Sequence, residues 1–488
     1  MPENDPRQQL RRDMLRGIIT EPLLSEIGER LKERTKKERD KSFPVIIVLN
    51  ETANLVDARQ AVENRLSNFP CTHSGSYIFS TMPGEAILTL AAWNRDFPGK
   101  SPIYRIWKDQ EIQACLTQSR VTIKADAAQR AFDAVGNGIC WAVLDSGVDK
   151  THDHFKHHSN IPTSDWHDDF VDPTTPDPFN DAFGHGTHVA GIIAGFWQNT
   201  ANEDVAFAET LKDIGQGDTL TIAAEPVPIS TISGIAPATK IISMRVLDAQ
   251  GRGRVSSVLQ AIQKIQTIND FGRRLALPNA SIHGVNLSLG YDFNPRWFGC
   301  GQSPLCVEVN RLVRSGVVVV VSAGNDGYNA LSRTDQGAQK LGYHLASIND
   351  PGNADLAITV GSTHREQPHT FGVSYFSSRG PTGDGRLKPD LVAPGEHIFS
   401  CAAGKHKTDA QSLDPRAANI RYLEQSGTSM AAPHVSGAIA AFLSVRREFI
   451  GQPETVKKLF LENSTDLHRE PYSQGRGLVD LMRVLQAV

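Results

Sequence analysis

Residues 138–364 hold five apolar runs of strand length: GICWAVLD (138–145), KIISMRVLD (240–248), HGVNLSL (283–289), GVVVVVSAGN (316–325) and LAITVGST (356–363). The apolar residues are continuous rather than alternating. Such strands are buried on both faces, as in a parallel sheet covered by helices. Helical periodicity falls between the runs, over 256–271 and over 304–315. The pattern predicts an α/β domain with a mainly parallel sheet.

The first third of the chain reads differently. FPVIIVLN (43–50), GSYIFSTM (75–82) and SPIYRIWKD (101–109) predict strands. VDARQAVENRLSNF (56–69) and GEAILTLAAWNRDF (84–97) predict helices between them. This alternation suggests a small α/β sandwich of the ferredoxin-like kind. Residues 1–42 are charged, with Leu23, Leu24, Ile27 and Leu31 at helical spacing. They are expected to form a helical extension, a solvated helix that covers a neighbour. The segment from Glu111 to Phe132 shows no clear element and reads as a linker. The expected organisation is therefore a helical extension over 1–42, an α/β unit and linker over 43–118, and a larger domain over 119–488.

Bulk properties narrow the function. A chain of 488 residues with 21% charged residues has globular composition, and its length suggests two to four domains. A net charge of -4 gives no field that would draw nucleic acid. No apolar run reaches membrane-spanning length. The start, MPENDPRQQLRRDMLRGII, lacks the apolar core of a secretory signal, so a cytoplasmic location is expected. The six cysteines are scattered; Cys300 and Cys306 could pair or bind a metal, and free thiols are the favoured reading.

In a parallel sheet, ligands bind beyond the carboxyl ends of the strands. Asp145 ends the first run and Asn325 ends the fourth. His185 opens a stretch of small residues, GHGTHVAGIIAG. Ser429 lies in EQSGTSMAAPHVSGAIAAFLS, at the start of an Ala- and Gly-rich helix. Asp, His and Ser in this order match one of the convergent serine-hydrolase orders. The order excludes the pattern in which the serine comes first in a Gly-x-Ser-x-Gly elbow. At a helix start, unpaired N–H groups and the macrodipole favour developing negative charge. Pro433 is expected to sit in the first turn, where its missing N–H costs nothing.

VLDSGVD, HGTHVAG and GTSMAAPHVSG resemble the three signature boxes of the subtilisin-like serine proteases. GIAPATKIISMRVLD, NLSLG, SAGN, FSSRGP and KPDLVAPG resemble further family segments in family order, so the resemblance covers roughly 138–480. It implies a three-layer subtilisin-like domain and a serine endopeptidase. Ser429 is then the nucleophile, His185 the general base and acid, and Asp145 the group that orients His185. Asn325 would donate to the oxyanion. Ser288, Leu289 and Gly290 would pair with extended substrate backbone, with Ala323, Gly324 and Asp326 also on the substrate. Asp326 would favour Lys or Arg before the scissile bond.

The resemblance also implies that the 43–118 unit is an inhibitory pro-domain. It is either cut near 111–125 or retained as a regulator released by a partner, and regulated release suits a cytoplasmic protease better. The alternative function is a peptide-binding scaffold that does not hydrolyse.

Metals are not expected. His185-Gly-Thr-His188 has H-x-x-H spacing but no acidic partner, and His188, His434 and the 152–158 cluster read as packed or solvated. Where many family members carry a calcium-binding aspartate, this chain has His154, and a long insertion replaces the calcium loop. That calcium site is expected to be absent, with a site elsewhere left open. The acidic stretch 164–181 reads as a solvated loop or as a rim attracting basic substrates. The insertion 401–425 is a candidate lid or partner-docking loop.

Overall fold

The structure, a computed structural model, describes residues 18–31, 42–50, 54–108, 118–200, 203, 205–213, 220–275, 281–296, 298–333 and 339–488. The chain forms two compact units, Met1–Gln113 and Ala114–Val488.

The first unit runs α1 (Glu21–Arg30), β1 (Ser42–Leu49), α2 (Leu55–Arg65), β2 (Cys71–Ser74), β3 (Tyr77–Pro83), α3 (Gly84–Arg95) and β4 (Ile103–Lys108). Its antiparallel sheet has the order β2-β3-β1-β4, which is the β-α-β-β-α-β arrangement. Phe43, Val45, Ile47 and Leu49 alternate inward from β1, onto Val62 of α2 and Ile87 and Leu90 of α3. The short β2, Cys-Thr-His-Ser, carries no apolar pattern and is invisible to periodicity.

The helix expected as an extension covers this same core. Ile19, Leu23 and Ile27 are buried, and Ile19 bridges to Ile106 of β4. Leu23 and Ile27, four residues apart, lie on one stripe of the helix, and Ile19 precedes it. Part of the expected linker, 109–117, lies outside the described residues. The rest is not a linker. Gln118–Thr122 and α4 (Ala125–Phe132) are helical, and Ile123, Ala125 and Ala128 are buried in the core of the second unit.

The second unit is built on β5 (Cys140–Asp145), β6 (Asp168–Asp169), β7 (Lys240–Arg245), β8 (Gly284–Leu287), β9 (Val318–Ser322), β10 (Ile358–His364) and β11 (Leu391–Glu396). All pair in parallel, in the order β11-β10-β9-β8-β5-β7-β6. Successive side chains feed opposite faces. Trp141 and Val143 enter the core under α5 (His185–Ile193) and α8 (Thr428–Val445). Ala142 and Leu144 enter the core under α6 (Val255–Arg274) and α7 (Pro304–Arg314). Three layers result. The last strand, β11, lies in KPDLVAPG, whose prolines hide it from a propensity reading.

Helix α8 is long and apolar enough to cross a membrane, but it is a core helix, buried along most of its length. It lies close to its neighbours because a Cβ on Gly437 would stand 2.6 Å from Ile235 Cβ.

The two insertions fold together rather than forming separate loops. One supplies strands Ala206–Asp213 and Leu220–Val227. The other supplies helix Gly404–Leu413 and strand Tyr422–Gln425. Tyr422 and Leu423 pair in parallel with Ala206 and Phe207. Phe207, Ala410, Ala417, Ile420 and Leu423 share a small core. A hairpin over Tyr328–Arg333 and Gln339–Tyr343, just after Asn325, was not foreseen.

Candidate active site

Asp145 ends β5 and His185 opens α5, and the structure brings them together. Asp145 Oδ1 stands 2.8 Å from His185 Nδ1. The Asp145 side chain is buried and that of His185 is 15% exposed. Burial acts most strongly on His185 and disfavours its charged form. The charge of Asp145, its hydrogen bond and the charge of Asp181 outweigh burial, so the His185 pKa is raised above 6.5. Ser146 N–H also donates to Asp145 Oδ1, at 2.8 Å.

A second carboxylate fixes the loop that carries His185. Asp181 Oδ1 accepts from Ser146 Oγ at 2.7 Å and from Gly184 N at 2.7 Å. Asp181 Oδ2 accepts from Thr187 N at 2.8 Å and Thr187 Oγ1 at 2.6 Å. Asp181 therefore satisfies the unpaired N–H groups at the start of α5. Its burial raises its pKa despite these bonds. Gly184 adopts φ +99 with Ala403 O 2.1 Å from where a Cβ would stand, so no other residue fits there. Asp169, from the same acidic stretch, is buried against Arg245 at 2.7 Å. Asp169 and Asp181 thus belong to neither a rim nor a solvated loop. They are internal anchors.

Ser429 is the second residue of α8. Its hydroxyl donates to Ser288 O at 3.2 Å, and the Ser288 hydroxyl donates to Ser429 O at 2.8 Å. Pro433 is the sixth residue of α8, not a first-turn residue. It lacks the N–H that would bond Ser429 O one turn back. Ser288 supplies the missing donor. Behind it, Asn286 Nδ2 donates to Ser288 Oγ at 2.9 Å, and Ser436 Oγ donates to Asn286 Oδ1 at 2.9 Å. Asn286 and Ser436 are fully buried.

Asn325 follows β9, and Thr428 fixes its amide. Asn325 Oδ1 accepts from Thr428 N at 2.9 Å and Thr428 Oγ1 at 3.0 Å. A backbone N–H can only donate, so the oxygen faces Thr428 and Nδ2 turns away from it. A Cβ on Gly427 would stand 3.5 Å from that Nδ2. Gly427 has φ 161, an extended conformation open to any residue. Its value is the space it leaves beside the amide.

Ser288, Leu289 and Gly290 follow β8. The backbone of Leu289 and Gly290 makes no hydrogen bond to other described residues. A cavity of about 480 Å³ joins these three residues to His185. Ala323 is buried, and its N–H donates to Val360 O at 3.0 Å. Gly324 N–H donates to Thr428 Oγ1 at 3.2 Å. Asp326 borders a separate pocket of about 370 Å³ with Phe293, Leu345 and Asn349, and accepts from Asn349 Nδ2 at 3.0 Å. Periodicity could not reveal Ser146, Asp181, Asn286, Asn349, Thr428 or Ser436, because each acts through a partner distant in sequence. Asp181 left one trace, an acidic residue just before a helix start.

With this geometry in hand, comparison with known proteins is decisive. Residues 136–477 match the subtilase family. The chain belongs to the subtilase family. Serine protease AprX of Bacillus subtilis is 27% identical over 386 residues, 78% of this chain and 74% of that protein. An intracellular serine protease of Paenibacillus polymyxa is 30% identical over 360 residues, 72% of this chain and 81% of that protein. Pyrolysin of Pyrococcus furiosus is 29% identical over 351 residues, 63% of this chain but only 22% of pyrolysin. Family and relatives together make this subtilase a serine protease.

Three further histidines of this subtilase, His188, His434 and His154, are packed. His188 is buried with Nε2 3.2 Å from Leu423 O, and burial lowers its pKa to about 3. His434 Nδ1 lies 2.8 Å from Met430 O, and burial lowers its pKa to about 4. His154 is buried, with Nε2 3.2 Å from Gly191 O and Nδ1 3.3 Å from Tyr422 Oη. Burial brings its pKa down to about 3. A neutral ring packed in this way does not suit a hard, oxygen-seeking cation. Among the described residues no group of three His, Cys, Asp or Glu could hold a metal ion. Cys300 and Cys306 are free thiols.

Proposed function

We propose that this subtilase is an endopeptidase in which Ser429 attacks the substrate carbonyl carbon. His185 Nε2 takes the hydroxyl proton as the Oγ–C bond forms and the carbonyl π pair moves to oxygen. Asp145 holds the ring with Nδ1–H toward itself and stabilises the imidazolium. The Asn325 amide and the Ser429 N–H receive the oxyanion. Collapse expels the amine, which takes its proton from His185. Water then repeats the sequence and releases the acid. The observation that carries this reading is the 2.8 Å contact of Asp145 with His185, which lines one cleft with Ser288, the hydrogen-bond partner of Ser429.

Leu289 and Gly290, whose backbone groups bond no other described residue, suit an extended substrate strand, and Ser288 begins that edge. Ala323, Gly324 and Asp326 would also contact the substrate, and Asp326 would favour a basic residue before the scissile bond. No calcium ion is required at His154. The N-terminal unit keeps the protease latent until it is cut or displaced. A cytoplasmic site of action agrees with the similarity to a protein named an intracellular serine protease.

The test compares the wild type with Ser429→Ala. A fluorophosphonate probe should label only the wild type, and intact mass should show loss of about 110–125 N-terminal residues if the chain processes itself. An unlabelled wild type, even after nicking between the two units, sinks the peptidase reading. A labelled chain that stays whole leaves the peptidase reading standing and makes the N-terminal unit a lasting regulator.

A further inference from the structure

The cavity beside His185 has a mixed character. Its deep wall is apolar, built by Phe183, Leu247, Val255, Val258 and Leu305. Arg252 and Arg254 stand at its lip, and both are exposed. Arg252 has one acidic neighbour, Asp248, at 3.7 Å, which is a weak surface pair. The Arg254 side chain makes no ion pair or hydrogen bond among the described residues. Asp326 and Asp292 border a different pocket.

Local stability gives no reason for an arginine at this position. Arg254 is the N-cap of α6 and contributes no side-chain capping bond, and the first turn of α6 has no acidic residue. Ser, Thr, Asp or Asn is favoured at an N-cap, and a positive charge there opposes the helix dipole. The position is better explained by what enters the cleft. A substrate strand laid along Leu289 and Gly290 turns alternate side chains toward this wall, about 7 Å apart. One apolar side chain fills the cavity, and a side chain close to it reaches the lip.

We propose that Arg254, assisted by Arg252, selects an aspartate or glutamate on the acyl side of the scissile bond, close to an apolar residue that fills the cavity. This rests on the peptidase reading of the same site. A charge-assisted contact at a partly exposed lip gives about 3- to 10-fold selectivity, and added salt weakens it.

The experiment uses fluorogenic peptides in which one acyl-side position at a time carries Glu, Gln or Lys. The full chain is assayed as purified, and again after trace trypsin has nicked it between the two units. Arg254→Ser places a favoured N-cap residue, so its thermal midpoint should not fall below that of the wild type. The expected result is Glu above Gln above Lys at one position in the wild type. The ranking should be lost in Arg254→Ser and compressed by salt. Turnover without an acid preference, or with a preference that survives Arg254→Ser, overturns the proposal and leaves the peptidase reading standing. If no peptide is cleaved and no probe labels Ser429, the peptidase reading fails and takes this proposal with it.

Discussion

Ser288 and Ser429 exchange hydrogen bonds, each hydroxyl donating to the other's carbonyl, at 2.8 and 3.2 Å. The exchange exists because Pro433 withholds the N–H that a regular helix would direct at Ser429 O. Ser288→Ala should leave that carbonyl without a donor and cost about 1–3 kcal/mol. Adding Pro433→Ala supplies a helical N–H, so the double variant should recover part of the loss. Recovery stays partial because Asn286 Nδ2 also loses its acceptor. Thermal unfolding of the single and double variants, in a Ser429→Ala background that removes self-cleavage, measures the coupling. Strictly additive losses would show that Pro433 and Ser288 do not share this carbonyl.

Thr428 holds Asn325 by two bonds to one oxygen. Thr428→Val keeps the shape and removes one of them. The amide then samples orientations that aim no donor at the oxyanion. The expected effect is a fall in kcat with little change in KM, because the interaction strengthens only in the transition state. Its size should lie below the roughly 10²–10³-fold measured for removing the corresponding amide in a subtilisin, a borrowed magnitude. A rise in KM at constant kcat would assign Thr428 to substrate binding instead.

Much of this was legible in the sequence, for identifiable reasons. Runs such as Val317–Val321 are apolar without alternation, and burial on both faces is the physical cause of that pattern. Asp145, His185, Asn325 and Ser429 stand at strand ends and helix starts, where local chemistry marks them. The supporting groups left no local mark. Thr428, Asn286 and Asp181 matter through partners brought close only by folding. The place of Pro433 was misjudged because a helix start shifts by several residues without changing periodicity. The charged flanks of helix α1 hide its narrow buried stripe of Leu23 and Ile27 and the buried Ile19 before it.

His185 must be neutral to accept the Ser429 proton. Burial lowers its pKa, but Asp145 and Asp181 raise it further, to a net value above 6.5. The acid limb of kcat/KM should therefore have its midpoint above 6.5, with activity falling as pH falls through it. The stability sign is the opposite. A histidine whose folded pKa is raised stabilises the fold fully below its unfolded pKa, and that contribution disappears as pH rises through the folded value. Profiles of kcat/KM and of thermal midpoint against pH test both halves. An acid limb centred below 6.5 contradicts the assignment.

The corner around His154 holds a buried neutral imidazole packed by Tyr422 and Gly191. If no calcium ion is bound there, a chelator should leave the thermal midpoint of the Ser429→Ala chain unchanged, and added calcium should not raise it. A midpoint that falls with chelator and returns with calcium would reveal a site built from other residues.

Asp181 receives four donors, two on each oxygen, and one of each pair is a backbone N–H. Asn at this position must turn its NH₂ toward either Gly184 N–H or Thr187 N–H, and neither can rotate away. Asp181→Asn should cost about 1–3 kcal/mol for the unpaired buried donors. It also removes one of the charges that raise the His185 pKa. The acid limb of kcat/KM should therefore move to lower pH in this variant. A purely structural role for Asp181 predicts a lower thermal midpoint with the limb unmoved. Measuring both quantities on one variant separates the loop-anchoring role from the electrostatic one.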